Sequence, residues 1–184
     1  KLIVGRKLGY NCGPAGMDVP QPGLYITRPC VNIPGMGRGA KVRYLRKKTD
    51  QIPTGHFWSE IFHGRHVSVD YHNGKQVLAV EGFRPDGYLW KFVKWQKIDE
   101  QYPLPNIFYE LVERYEHINI EYIGGKVIEL HFRQNPDFKY GNNVAYPVWD
   151  WYNYKVTDYY PDLDLSKLRF VEDREYKRLG FYID

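Results

Sequence analysis

Ile118–Arg133, INIEYIGGKVIELHFR, alternates on both sides of Gly124-Gly125 and reads as a β-hairpin. The even positions Ile118, Ile120, Tyr122, Ile128, Leu130 and Phe132 are apolar, and the odd ones include Asn119, Glu121, Glu129, His131 and Arg133. A two-residue turn places Glu129 on the face of Ile120 and Tyr122. A three-residue loop, Gly124 to Lys126, keeps one face apolar and sets Glu121 opposite Glu129, so the hydrophobic pattern selects it. Two carboxylates then stand roughly 5 Å apart across a strand pair. Like charges directly opposite destabilise a sheet, and a divalent cation would relieve them. Carboxylates that are simply solvated, or paired with Arg and Lys, are the competing reading.

Outward from this hairpin the chain is β-rich. Leu24–Arg28, Ala40–Leu45, His56–Phe62 and Tyr88–Lys97 read as strands, and Leu2–Val4 as a short one. His66–His72 and Lys75–Glu81 form a hairpin about Asn73-Gly74, a type I′ signal. Ile107, Phe108, Leu111, Val112 and Tyr115 make a helical stripe over Pro105–Glu116. A short helix is expected near Ser166–Leu168, in a C-terminal stretch that is aromatic, acidic and weakly periodic. The expected fold class is an α+β mix with few helices.

The 184 residues suffice for one domain or two small lobes. A net charge of +4 suits an anionic ligand and argues against a nucleic-acid coat. The 17 tyrosines and 5 tryptophans imply an aromatic-padded core or exposed stacking surfaces. Cys12 and Cys30 make no disulfide framework, and reduced thiols in a cytoplasmic protein are expected. No apolar run spans a membrane, and KLIVGRK lacks signal-peptide anatomy.

Two further stretches carry chemistry. Cys30–Val42, CVNIPGMGRGAKV, places Gly35, Gly37 and Gly39 between two strands, with Arg28, Arg38 and Lys41 supplying positive charge. Such a loop can turn backbone N–H groups toward phosphate, or be a plain hairpin tip. It lacks a Walker ending. Phe57–Phe62 is an apolar strand ending near Gly64, suited to flank a flat ring or to fill a core. The basic run Arg38, Lys41, Arg43, Arg46, Lys47 and Lys48 leaves a nucleic-acid-binding β protein as a weaker alternative.

The order of these pieces resembles the ATP-grasp superfamily: a glycine-rich phosphate loop, an apolar linker strand, a helix, then a carboxylate hairpin ending in arginine. The resemblance covers about residues 24–138 and implies two small lobes built on antiparallel sheets, residues 1–60 and 61–184, with a nucleotide cleft between them. It implies ATP and Mg²⁺ as cofactors. Gly35, Gly37, Arg38, Gly39 and Lys41 match the phosphate loop. Arg28 stands where the family has a lysine on the nucleotide phosphates. WSEIFHG is similar to the hinge strand, where the backbone of Glu60, Ile61 and Phe62 would meet the adenine edge. His66 falls at the ribose-binding position, usually a glutamate. Glu121 and Glu129 match metal ligands, with His131 replacing the usual asparagine, and Arg133 matches the arginine beside the transferred phosphoryl group. The first lysine of the family has no clear counterpart, with Lys1 or Lys7 able to serve. The implied activity is an ATP- and Mg²⁺-dependent carboxylate–amine ligase working through an acyl phosphate on an unidentified carboxylate. The alternative is a non-catalytic nucleotide-binding or structural module. Most members carry an additional N-terminal substrate domain, so a partner protein supplying one is a further expectation.

Overall fold

The protein is seen here as a computed structural model that describes residues 1–31, 37, 39–151, 154–175 and 177–184. The chain divides into two compact units, Lys1–Arg65 with Ile120–Leu130, and His66–Asn119 with His131–Asp184. All described strands pair antiparallel where their register is defined.

In the first unit helix α1 (Leu2–Lys7) replaces the strand expected at Leu2–Val4. The β-branched Ile3 and Val4 suggest a strand in isolation, but Leu8 and Tyr10 donate to Val4 and Gly5 carbonyls and close helical turns instead. Strands β1 (Cys12–Pro14), β2 (Gly23–Pro29), β3 (Lys41–Leu45) and β4 (His56–Ser59) form a sheet in the order β1-β4-β2-β3. One face covers Val19, Tyr25, Leu45, Ile52 and Trp58. Trp58 Nε1 (2.9 Å) and Thr49 Oγ1 (2.7 Å) both donate to the Met17 carbonyl, so these two buried donors are paired.

The second unit is built on β5 (His66–His72), β6 (Lys75–Phe83), β7 (Lys94–Lys97), β10 (Val144–Trp149), β11 (Arg169–Glu175) and β12 (Arg178–Ile183). With the hairpin of β8 (His117–Ile123) and β9 (Lys126–His131) the sheet order is β11-β12-β10-β7-β6-β5-β8-β9. The β5–β6 turn is Asn73-Gly74 with φ of 48° and 76°, the left-handed pair that the sequence demanded. Val80, Trp95, Phe138, Ala145, Phe181 and Ile183 form its core.

Three further expectations change. The strand at Tyr88–Lys97 shrinks to β7, and Phe83 accepts from the Val93 amide before it begins. The helix at Pro105–Glu116 reduces to a 3-10 turn, Asn106–Phe108, and the one-turn α2, Tyr109–Val112. Neither end has a side-chain cap, and the apolar stripe buries only Phe108 fully. The short helix near Ser166 is a 3-10 turn, Leu165–Lys167, capped by Asp164. No described helix is long and apolar enough to cross a membrane.

Candidate functional site

The β8–β9 turn is two residues long, Gly124-Gly125, with φ of 54° and 76°. It is one residue shorter than the hydrophobic pattern suggested, because two successive glycines permit the tight left-handed turn. Burial departs from strict alternation accordingly: Tyr122 and Ile123 are both buried, while Ile128 and Leu130 are half-buried. The carboxylates nevertheless converge. Glu121, Glu129 and His131 on this hairpin each offer a ligand atom within 4.8 Å of the other two.

A cation already stands at this spot. Lys1, at the start of α1, places Nζ 2.7 Å from Glu129 Oε2, both side chains about nine-tenths buried. Lys7, at the other end of α1, is exposed. Arg28 on β2 belongs to the same neighbourhood.

The turn itself is fixed by backbone. Gly124 N–H donates to the Arg65 carbonyl at 3.0 Å, and a Cβ on Gly64 would meet the Gly124 Cα at 2.9 Å. Tyr10, just after α1, accepts from Val127 N–H at 3.1 Å and sets its ring edge-on to Phe62 at 4.9 Å. Burial raises the Tyr10 pKa even though the Val127 bond opposes the shift. Tyr10 precedes Val127 by 117 residues, and no local pattern announces the contact.

At the linker strand the Glu60 N–H donates to the Asn11 carbonyl at 2.9 Å. The return bond is unusual: Asn11 N–H goes to Glu60 Oε1, also at 2.9 Å, rather than to the Glu60 carbonyl. The Glu60 carbonyl, one residue before Ile61 and two before Phe62, is therefore not the acceptor of this return bond. On the glycine loop, Gly37 and Gly39 have φ of 68° and 83°, and Ala40 N–H closes a turn on the Gly37 carbonyl at 3.2 Å. Lys41 opens β3, exposed, opposite Thr27. Gly35 and Arg38, and most of the loop from Asn32 to Gly39, lie outside the described residues.

In the second unit His66 is only 5% exposed, its ring edge-on to Phe92 (4.8 Å) and Trp95 (5.7 Å). The ring expected at the ribose position is thus packed against aromatic neighbours. Arg133 is exposed and donates to its neighbour's carbonyl, Gln134, at 3.1 Å. The segment carrying it is pinned by Asp70, which accepts from Asn135 N–H at 2.9 and 3.0 Å.

No family model matches the sequence, and no curated protein does. Among solved structures, N5-carboxyaminoimidazole synthetase from Staphylococcus aureus, complexed with ADP, matches 99% of this chain and 65% of its own, with a TM-score of 0.60 and 9% identity. The ATP-grasp ligase PsnB with its minimal precursor matches 76% and 52% at a TM-score of 0.44 and 16% identity. D-alanine–D-alanine ligase from Bacillus anthracis matches 71% and 54% at 0.39 and 14%. Only the first bears on the fold by its score. The fold is similar to that of the synthetase: an α+β chain of two antiparallel sheets with few helices. The chain spans about half to two thirds of the length of these structures.

Proposed function

We propose that this chain binds Mg-ATP as the nucleotide-handling part of a carboxylate–amine ligase. The observation that carries the reading is the convergence of Glu121 and Glu129 on one hairpin, in a fold similar to that of an ADP-bound synthetase. Two carboxylates suit a hard divalent cation that completes its shell with phosphate oxygens and water. The His131 imidazole is a softer donor, so the carboxylates would be the holders. When bound, Mg²⁺ neutralises phosphate charge and orients the nucleotide.

The chain's own groups supply the rest. Arg28 and Lys41, with the loop amides around Gly37 and Gly39, would neutralise the phosphates. The Glu60 carbonyl would accept from the adenine amino group, and the Phe62 N–H would donate to the ring, beside Ile61. Arg133 would offset charge on the transferred phosphoryl group. In the reaction a substrate carboxylate oxygen bonds to the γ-phosphorus as the bond to ADP breaks. An amine then bonds to the acyl carbon, loses a proton, and phosphate leaves with the C–O electron pair. ATP as co-substrate and two free thiols agree with a cytoplasmic setting.

One observation favours a second reading, a non-catalytic nucleotide-binding or structural module. The Lys1 ammonium already satisfies one Glu129 oxygen, as a purely structural pair would.

Calorimetry with Mg-ATP and ADP release over amino acids and peptides test both readings. Glu129→Gln should weaken Mg-ATP about tenfold, about 1.4 kcal/mol, while the fold survives. Unchanged affinity with lowered stability would end the metal assignment. Nucleotide binding without ADP release in any substrate mixture supports the second reading.

A further inference from the structure

The second unit holds an aromatic enclosure that the nucleotide site does not use. Tyr88 and Trp151 lie nearly parallel, centroids 6.3 Å apart and planes 8° apart. Trp90 stands perpendicular to Trp151 at 6.3 Å and 82°, making a third wall. The Lys91 ammonium is 3.5 Å from the Trp151 centroid, 4.3 Å from that of Tyr88 and 5.6 Å from that of Trp90. All three rings are within the range at which an aromatic face attracts a cation.

The inner walls are fixed from behind. Trp149, 4% exposed, stacks on Trp151 at 4.9 Å and 5°, and its indole N–H donates to the Phe92 carbonyl at 2.8 Å. Tyr154 meets Trp151 edge-on at 5.4 Å, donates its amide to the Trp151 carbonyl at 3.0 Å, and ties its hydroxyl to the Pro147 carbonyl at 2.8 Å. The outer wall, Tyr88, is 44% exposed, so the enclosure opens to solvent on that side. Walls ordered in advance lower the entropy cost of taking up a ligand.

Lys91 is a poor occupant. Among the described residues no carboxylate pairs with it, and the charge it senses is that of Lys177, which repels. Burial, then repulsion from Lys177, lowers its pKa. A primary ammonium is compact and strongly hydrated, whereas an alkylated one sheds less water and touches more ring surface. Lys94, three residues on, shows the ordinary alternative: its ammonium lies 5.3 Å or more from the Phe83, Tyr146 and Tyr160 rings.

We propose that Tyr88, Trp90 and Trp151 form a binding site for a quaternary ammonium group, and that Lys91 is an internal stand-in that such a ligand displaces. The group is either a free small molecule or a trimethylated lysine on a peptide.

Tryptophan fluorescence titrated with tetramethylammonium chloride, against sodium chloride at equal ionic strength, tests this on the whole chain. Removing the stand-in raises the fraction of open sites, so Lys91→Ala should bind at least about tenfold tighter than the wild type. Lys94→Ala should bind like the wild type. Adding Tyr88→Ala, at an exposed position, or Trp151→Ala to Lys91→Ala should abolish the gain. Competition by choline or by a trimethyl-lysine peptide, with the unmodified peptide as control, identifies the source. The proposal is overturned if Lys91→Ala binds no tighter than the wild type, if Tyr88→Ala leaves the gain intact, or if neither competitor displaces tetramethylammonium.

Discussion

Asp70 in the second unit and Glu129 in the first are both carboxylates on strands, and they are kept in opposite ways. Asp70 is 3% exposed and surrounded by neutral donors: the Asn119 side-chain amide at 2.8 Å and the Asn135 main-chain amide at 2.9 Å. Asn119 also donates to Ser68 Oγ at 2.8 Å, and Asn135 caps the 3-10 turn Pro136–Phe138 by accepting from Asp137 N–H. Asp137 in turn takes Arg178 Nη1 on both oxygens, at 2.8 and 2.9 Å, with both side chains 8% exposed. Glu129 has a like-charged neighbour, Glu121, and a lysine. Closed networks with every oxygen spoken for hold a fold together. A pair of acids brought together against their repulsion is suited to exchange one cation for another.

The comparison can be broken most forcefully at Asp137. Asp137→Ala takes the bidentate carboxylate from the buried Arg178 guanidinium, with Asp173 farther off at 3.5 Å, and should cost about 3–5 kcal/mol in urea denaturation. A loss under about 1 kcal/mol would mean that the second unit does not depend on its closed network.

Asp70→Ala comes next. It strands the Asn119 and Asn135 donors and should cost about 1–3 kcal/mol by the same measurement. The pH dependence has a defined sign. Burial raises the Asp70 pKa, against the opposing Asn135 and Asn119 bonds, so the folded state favours the protonated acid. Asp70 therefore lowers stability as pH climbs from the unfolded carboxylate range through the raised folded value. Wild type minus Asp70→Asn, followed by urea midpoint from pH 3 to 7, should fall across that window. A difference that rises with pH would reverse the assignment.

Tyr10→Phe should have the smallest effect. It removes one acceptor from Val127 N–H and should cost about 1 kcal/mol. Hydrogen exchange at Val127 should speed up while Asn135 in the second unit stays as in the wild type. Equal acceleration at both amides would show that the two regions do not act separately.

What the sequence made legible follows the same division. The Asn73-Gly74 turn and the strands beside it are local, and period and turn residues are enough to read them. The carboxylates of the second hairpin were also legible, because like charges on adjoining strands stand out in a period-two pattern. Its turn length was not: Tyr122 and Ile123 are both buried, so a rule that assumes one apolar face misjudged the loop by a residue. The C-terminal strands β10, β11 and β12 escaped notice because aromatics fall on both faces. Phe170 is exposed against Tyr182, whereas Phe181 is fully buried. Lys1 entered the reading only as one of two lysines, since its partner Glu129 is remote in the chain.

The contact of Gly64 with Gly124 has an evolutionary consequence. Both have positive φ, 116° and 54°, and what a Cβ on either would strike is main chain: Gly124 for Gly64, His63 for Gly124. In a deep mutational scan the two positions should read as a single coupled column, each intolerant of every replacement. Trimming a side chain elsewhere rescues neither, because the obstacle is peptide backbone. Sequence drift in descendants of this chain should halt at that seam while the strands around it continue to change.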